Sequence, residues 1–352
     1  MILRIILATT FFLIGYISAA QPNQPAELNR SIGQSNANWI QTVLKNWETV
    51  CTKHLLINPQ PLPWIIFYDS TRAFHINPDT NLLPPSAIKQ LPIQFGSQSY
   101  RVILMAHAGS VWVPGRDPIS VVPRPAVTMP YDEYRKSFFM APLPSFFRKL
   151  APADQAGFLD LLFLGINSHE LTHTRQLPFV LPQLLDIQKK YKLPENLDDN
   201  LIERLFEKNE AYKKLFTAEK QHFWNAYMAA NMDSCRREIT KGLTLMKQRK
   251  GQFFTGDKLG YTYLDDIFLS LEGSAMWVQY QVTMANAPRD QPAHQTLYWL
   301  VQRTDSWVQE EGLVLFLLID RLVPNWQSQF FGKTLPYPFD VLQRAVSQKP
   351  QK

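Results

Sequence analysis

The chain has 352 residues, 45% of them hydrophobic, with 36 Lys and Arg against 30 Asp and Glu and only two cysteines. That length and apolar content supply a core for one large or two moderate domains. The net charge of +6 is spread along the sequence with no basic stripe, which reads as a solvated exterior and gives no sign of a nucleic-acid partner.

Arg4 precedes an apolar run from Ile5 to about Ile17, and Ser18-Ala19-Ala20 put small residues at the −3 and −1 positions before Gln21. This pattern predicts a signal peptide over residues 1–20, cleaved after Ala20, and a secreted or periplasmic mature protein. A retained signal anchor is the alternative. No cysteine follows the run, so no lipid anchor is expected, and no later segment reaches the ~18 apolar residues of a membrane span. Cys51 and Cys235 lack the neighbours of a zinc knuckle or a redox pair. In an oxidising compartment they are expected to form one disulfide, with two separately buried thiols as the alternative.

Residues 21–34 are a loose polar lead-in. From Ser35 to Leu56, Trp39, Ile40, Val43, Leu44, Trp47, Val50 and Cys51 recur at helical spacing and predict an amphipathic helix whose stripe is packing. Residues 57–130 turn proline-rich, with short runs at 64–68, 101–105, 111–113 and 119–122. These predict strands of a largely antiparallel sheet, with Pro114, Pro118 and Pro123 at an edge. The stretch from Phe138 to Leu150 reads as an aromatic connection, either lining a substrate cleft or packed as a linker, and a soft boundary falls near residue 150. A helix is expected from Asp154, its N-cap, to Leu177, stopped by Pro178. Beyond it the chain reads as helical over 181–191, 198–206, 211–231, 235–249, 264–285, 295–322 and 339–346. The fold class expected is therefore α+β, with an α+β region over 21–150 and a mainly helical region over 151–352.

Within the expected 154–177 helix stands His169-Glu170-Leu171-Thr172-His173. Residues four apart on an α-helix face the same way, so both imidazoles meet one point, while Glu170 is turned ~100° from His169. Two such rings bind Zn²⁺ at about 2.0–2.1 Å, and the glutamate stands beside the open position where water sits. Two buried histidines and a buried carboxylate without a metal would be costly. A third ligand is required. A nearby third histidine is excluded, because Thr174, Arg175, Gln176, Leu177, Pro178 and Phe179 follow. Glu272, a lone acid in the apolar run Ile267-Phe268-Leu269-Ser270-Leu271-Glu272-Gly273-Ser274-Ala275-Met276-Trp277, is expensive to bury unless it meets a cation. The small residues after it would let another helix approach.

The HELTH segment together with the later LEGSAMW segment resembles the gluzincin class of zinc metallopeptidases, in which a glutamate from a later helix completes an HExxH pair. The resemblance rests on motifs covering about a third of the chain. It implies a zincin-like fold, with a substrate peptide lying along the edge strand of a small sheet above the metal helix. Thermolysin-like relatives place the third ligand much closer to the second histidine. Glu195, 22 residues after His173, imitates that spacing, whereas Glu272 is 99 residues after it and implies a long helical insertion.

The expected activity is hydrolysis of peptide bonds by a zinc-activated water, with Glu170 as general base and His169, His173 and Glu272 as metal ligands. The partner is then a peptide or protein substrate. Tyr261, Tyr263, His294, Tyr298 and Arg303 are candidates for the oxyanion helper, and nothing in the sequence chooses among them. Asp265 or Asp266 would orient an imidazole or start a helix, and His107 reads as a strand histidine. A zinc-stabilised secreted binding protein and a zinc hydrolase of non-peptide amides are the alternatives. Glu170 argues against the first, because a structural site needs no base and closes with four protein ligands.

Overall fold

The computed structural model describes residues 34–84, 89–95, 97–121, 126–131, 136–148, 156–288, 292–301 and 306–348. The leader, the lead-in up to residue 33, Asp154 and Arg303 lie outside them. The first amphipathic stretch forms α1 (Gln34–Thr49) and runs on as a π-helical turn, Val50–Leu55, with Val50, Cys51 and Leu55 buried.

Among the described residues eight strands follow: β1 (Trp64–Tyr68), β2 (Arg72–Ile76), β3 (Lys89–Phe95), β4 (Gln98–Ala106), β5 (Ser110–Val111), β6 (Ile119–Ser120), β7 (Val127–Tyr131) and β8 (Lys136–Pro142). Six form one sheet in the order β3-β4-β2-β1-β8-β7, and β5 pairs with β6 apart from it. The pairing is antiparallel except between β1 and β8, which run parallel from Trp64 opposite Phe138 to Tyr68 opposite Pro142.

The segment from Phe138 is thus corrected from a connection to an interior strand. Its apolar residues do not alternate with polar ones because both faces of β8 are covered. Phe139 and Ala141 point into the helical core, while Phe138 and Met140 join an outer cluster with Trp64, Ile66, Val111 and Met129. A short helix, α2 (Pro144–Phe147), follows.

The long helix α3 (Ala156–Tyr191) spans 36 residues and contains Pro178 and Pro182, where the sequence predicted a stop and a separate helix. A proline at 178 cannot donate to the carbonyl of Thr174, which would leave that oxygen buried and unbonded. The Ser137 hydroxyl of β8 donates to it at 3.4 Å, so the sheet helps replace what the proline removes.

The remaining helices are α4 (Leu201–Phe206), α5 (Glu210–Met228), α6 (Met232–Phe253), α7 (Gly260–Asn286), α8 (Ala293–Val301), α9 (Trp307–Leu322), α10 (Gln327–Phe330) and α11 (Pro338–Ser347). The expected 295–322 helix is divided into α8 and α9, with residues 302–305 outside those described. One hydrophobic core joins Trp47 of α1, Phe139 of β8, Leu171 of α3, Leu269 of α7 and Phe316 of α9. The architecture is mixed α+β, with a small sheet before residue 143 and helices thereafter. No helix among the described residues is long and apolar enough to cross a membrane.

Two close approaches set the position of α7. A side-chain carbon at Gly165 would meet Thr283 Oγ1 at 2.8 Å and Gln279 Cγ at 3.1 Å, so this glycine admits α7 against α3. A carbon at Gly273 would lie 2.6 Å from the Gly312 carbonyl, which brings α9 against the other side of α7.

The expected disulfide is not formed: Cys51 and Cys235 are both buried free thiols. Cys51 lies beside Arg175 of α3 and Cys235 near Arg321 of α9, so each is packed at its own helix junction. The alternative of two separately buried thiols therefore describes the fold.

Candidate metal centre

Because the α-helix repeats every 3.6 residues, His169 and His173 share the face of α3 that meets α7. Glu272 arrives from α7, whose whole middle is buried. One ligand atom from each of His169, His173 and Glu272 falls within 4.8 Å of the others, and the trio could hold a metal ion. The two Nε2 atoms are 3.0 Å apart, His169 Nε2 is 3.3 Å from Glu272 Oε2, and His173 Nε2 is 3.4 Å from Glu272 Oε1. Tetrahedral ligands about 2.0–2.1 Å from one ion lie about 3.4 Å from each other, so these separations fit.

Other side chains fix the ring and carboxylate orientations. His173 Nδ1 is 3.1 Å from Gln176 Oε1, and Gln176 Nε2 donates to Ser274 Oγ at 2.7 Å. That chain makes Nδ1 the protonated nitrogen of His173 and turns the lone pair of Nε2 toward Glu272. Gln309 of α9 donates to Glu272 Oε2 at 3.0 Å. On the sheet side, the Thr128 hydroxyl of β7 donates to the Glu170 carbonyl at 2.7 Å and ties the edge strand to α3.

Electrostatics at the trio divides between the rings. Burial opposes charge on both, but the Glu272 carboxylate, joined by Glu170, outweighs it at His169 and holds that ring above its ordinary value. At His173 burial prevails, with pKa lowered to about 4. Burial alone would raise Glu272, and the two rings more than reverse it. His169, Glu170, His173 and Glu272 are each 1% exposed or less, so all four work in a solvent-poor space.

The other sequence candidates fall elsewhere. Glu195 is exposed, away from the trio. Tyr261 and Tyr263 lie eleven and nine residues before Glu272, about 17 and 14 Å back along α7. Tyr263 stacks on Tyr191, and Tyr261 packs near Phe254. His294 and Tyr298 are exposed on α8. Asp265 and Asp266 orient no imidazole: Asp265 binds Arg249 at 3.3 Å and Lys250 at 3.2 Å, and Asp266 binds Lys250 at 2.6 Å. His107 follows the end of β4 and bonds the Asp69 carbonyl through Nε2 at 3.0 Å.

Sequence reasoning passed over Gln176, Ser274, Gln309 and Asp199. Gln176 was within reach, since it is three residues after His173 on the same helix face. Gln309 carries no such local signal. Asp199, in the turn before α4, is buried; burial first, then the carboxylates of Glu272, Asp198 and Glu170, pushes it well above the ordinary carboxylate range. Comparison with protein-family models, curated proteins and solved structures gave no match, so the reading of this centre rests on its own residues.

Proposed function

We propose that the chain is a zinc-dependent metallopeptidase of gluzincin type, zincin-like in fold, with His169, His173 and Glu272 as ligands and Glu170 as general base. One observation carries the reading: the HExxH pair and a carboxylate 99 residues further on bring three ligand atoms within 4.8 Å, buried, with Glu170 next in the chain to His169. Two imidazoles and one carboxylate are the donor set of catalytic zinc sites, which leave a fourth position for water. When bound, the metal supplies a Lewis acid that lowers the pKa of water to about 7 and polarises a carbonyl. Glu170 accepts the water's proton and returns it to the leaving amine. Gln176 and Gln309 hold a ring and a carboxylate in place, and β7, which pairs on one side only among the described residues, offers main-chain groups to an extended substrate.

The experiment is Glu170→Gln, which keeps the shape and removes the proton acceptor. Metal content and fold are expected to stay near normal while peptide hydrolysis falls by at least ~10²-fold. Near-normal turnover in the metal-loaded variant overturns the assignment. The near-complete burial of all four side chains favours a second reading, a zinc-stabilised secreted binding protein. It is adopted if the metal-loaded unsubstituted chain cleaves nothing in a diverse peptide library.

A further inference from the structure

Beside the metal helix lies a cleft of about 390 Å³, walled by Thr174, Arg175 and Pro178 of α3, Tyr131 of β7 and Lys136 and Ser137 of β8. Glu170, Thr174 and Pro178 follow one another at intervals of four, so the cleft continues the side of α3 on which Glu170 stands. It also continues β7: Thr128 of that strand bonds the Glu170 carbonyl, and Tyr131 at its end enters the cleft wall. An extended chain laid along β7 past Glu170 runs into this space.

Charge decides what the space accepts. Lys136 is matched by Asp79 at 3.4 Å. Arg175 is half-buried and gives a terminal nitrogen to two neutral main-chain carbonyls, of Asn58 at 3.2 Å and Pro59 at 2.5 Å. The guanidinium also bonds the buried Cys51 thiol, and among the described residues no carboxylate lies within salt-bridge distance of it. The neighbouring Cys51 thiol supplies no counter-charge, because burial pushes it up to about 12. The wall therefore carries one positive charge in excess, and a partly desolvated guanidinium without an anion is costly. A monoanion balances it, whereas a dianion would leave a new excess.

We propose that this cleft is the substrate-recognition subsite of the centre, with Arg175 receiving a carboxylate of the peptide, either its C-terminal group or an acidic side chain. Arg175 is five residues beyond Glu170, about 7.5 Å along the axis, the span of about two extended residues. The reach of the arginine side chain adds up to about two more, so the charge recognised lies roughly two to four residues from the bond cut. A C-terminal carboxylate there means release of a short C-terminal piece, and a side chain means internal cleavage. What is cut rests on the peptidase reading, but the preference for a carboxylate does not.

The test is calorimetry on the full chain carrying Glu170→Gln, with three probes of one hexapeptide: free C-terminal acid, C-terminal amide, and amide with an internal Glu. At least one anionic probe should bind ~10-fold or more tighter than the neutral amide, and which one does so names the source of the carboxylate. Adding Arg175→Gln should abolish the difference, Arg175→Lys should keep part of it, and Lys136→Gln should change it by less than ~3-fold. Equal binding of all three probes, or a preference surviving Arg175→Gln, overturns the proposal. If Arg175→Gln does not fold, because its ties to Asn58 and Pro59 are lost, the comparison of probes on the Arg175 protein and on Arg175→Lys still decides. A preference for the anionic probes, with no peptide cleaved by the metal-loaded unsubstituted chain, ends the peptidase reading and leaves the subsite.

Discussion

Near its start, helix α7 places Asp265 and Asp266 against Arg249 and Lys250; two turns later it places Glu272 against two imidazoles. The first cluster carries its own permanent cations. Arg249, fully buried, meets Glu219 at 2.6 Å, Tyr212 Oη at 2.6 Å, Asp265 at 3.3 Å and Glu311 at 3.8 Å. Even so, Glu219, Asp265, Asp266 and Glu311 outnumber Arg249 and Lys250. Burial and their mutual repulsion push Glu219 up to about 7 and Glu311 well above its ordinary value. Among the described residues the second cluster has no Lys or Arg in the ion pairs of Glu272, only rings of which His173 is held neutral by burial. Buried acids on one helix thus meet their charge in two ways. Where arginine, lysine and carboxyls raised toward their neutral form share the charge, the cluster is balanced from within; where only imidazole faces the carboxylate, the group could hold a metal ion.

The largest expected effect separates the two clusters directly. Glu272→Ala should lose zinc altogether at micromolar metal, with affinity falling well beyond ~100-fold, while Asp266→Ala and Glu195→Ala keep it. Metal analysis after chelator competition reads this, and a zinc-replete Glu272→Ala protein would remove Glu272 from the ligand set.

Arg249→Met attacks the other side. Leaving Glu219, Asp265 and Glu311 without their shared cation should lower stability by about 3–5 kcal/mol in urea unfolding, while the folded fraction still titrates with one metal. Unchanged stability would mean that the cluster is not held by its arginine.

The pH profile sharpens the contrast. Glu219 is raised in the fold from 4.5 to about 7, so its neutral form is favoured there. Its contribution is fully retained below pH 4.5 and is lost as pH rises through about 7. Glu219→Gln, permanently neutral, should remove this slope, a change on the order of 3 kcal/mol across that window. An unaltered profile would mean that another group gives rise to the slope.

The smallest effect concerns ring orientation. Gln176→Ala frees His173 Nδ1 but keeps all three ligands, so zinc affinity should drop ~10–100-fold without loss of fold. An unaffected metal titration would show that packing alone holds the ring.

Much of the site was legible because its decisive relations are local. His169 and His173 lie one turn apart, and a helix repeats that spacing wherever it forms. Glu272 stood out because an acid inside Ile267-Phe268-Leu269-Ser270-Leu271 needs a cation wherever the chain goes. The order of strands before helices was legible for the same reason, since periodicity is a property of short windows.

Tertiary structure decided the relations across long separations. Pro178 sits inside a helix where Ser137, 37 residues before Thr174, reaches the Thr174 carbonyl, and no local rule predicts a hydroxyl from another element. Phe138–Pro142 is a strand because β1 pairs beside it and both of its faces are covered. Asp265 and Asp266, expected to orient an imidazole or start a helix, instead meet Arg249 and Lys250 because α6 brings those cations to them. The sequence by itself singled out Glu272 as an acid that needs a cation, because the cost of burying charge is local; which groups it and the neighbouring aspartates face depended on helix packing across the whole chain.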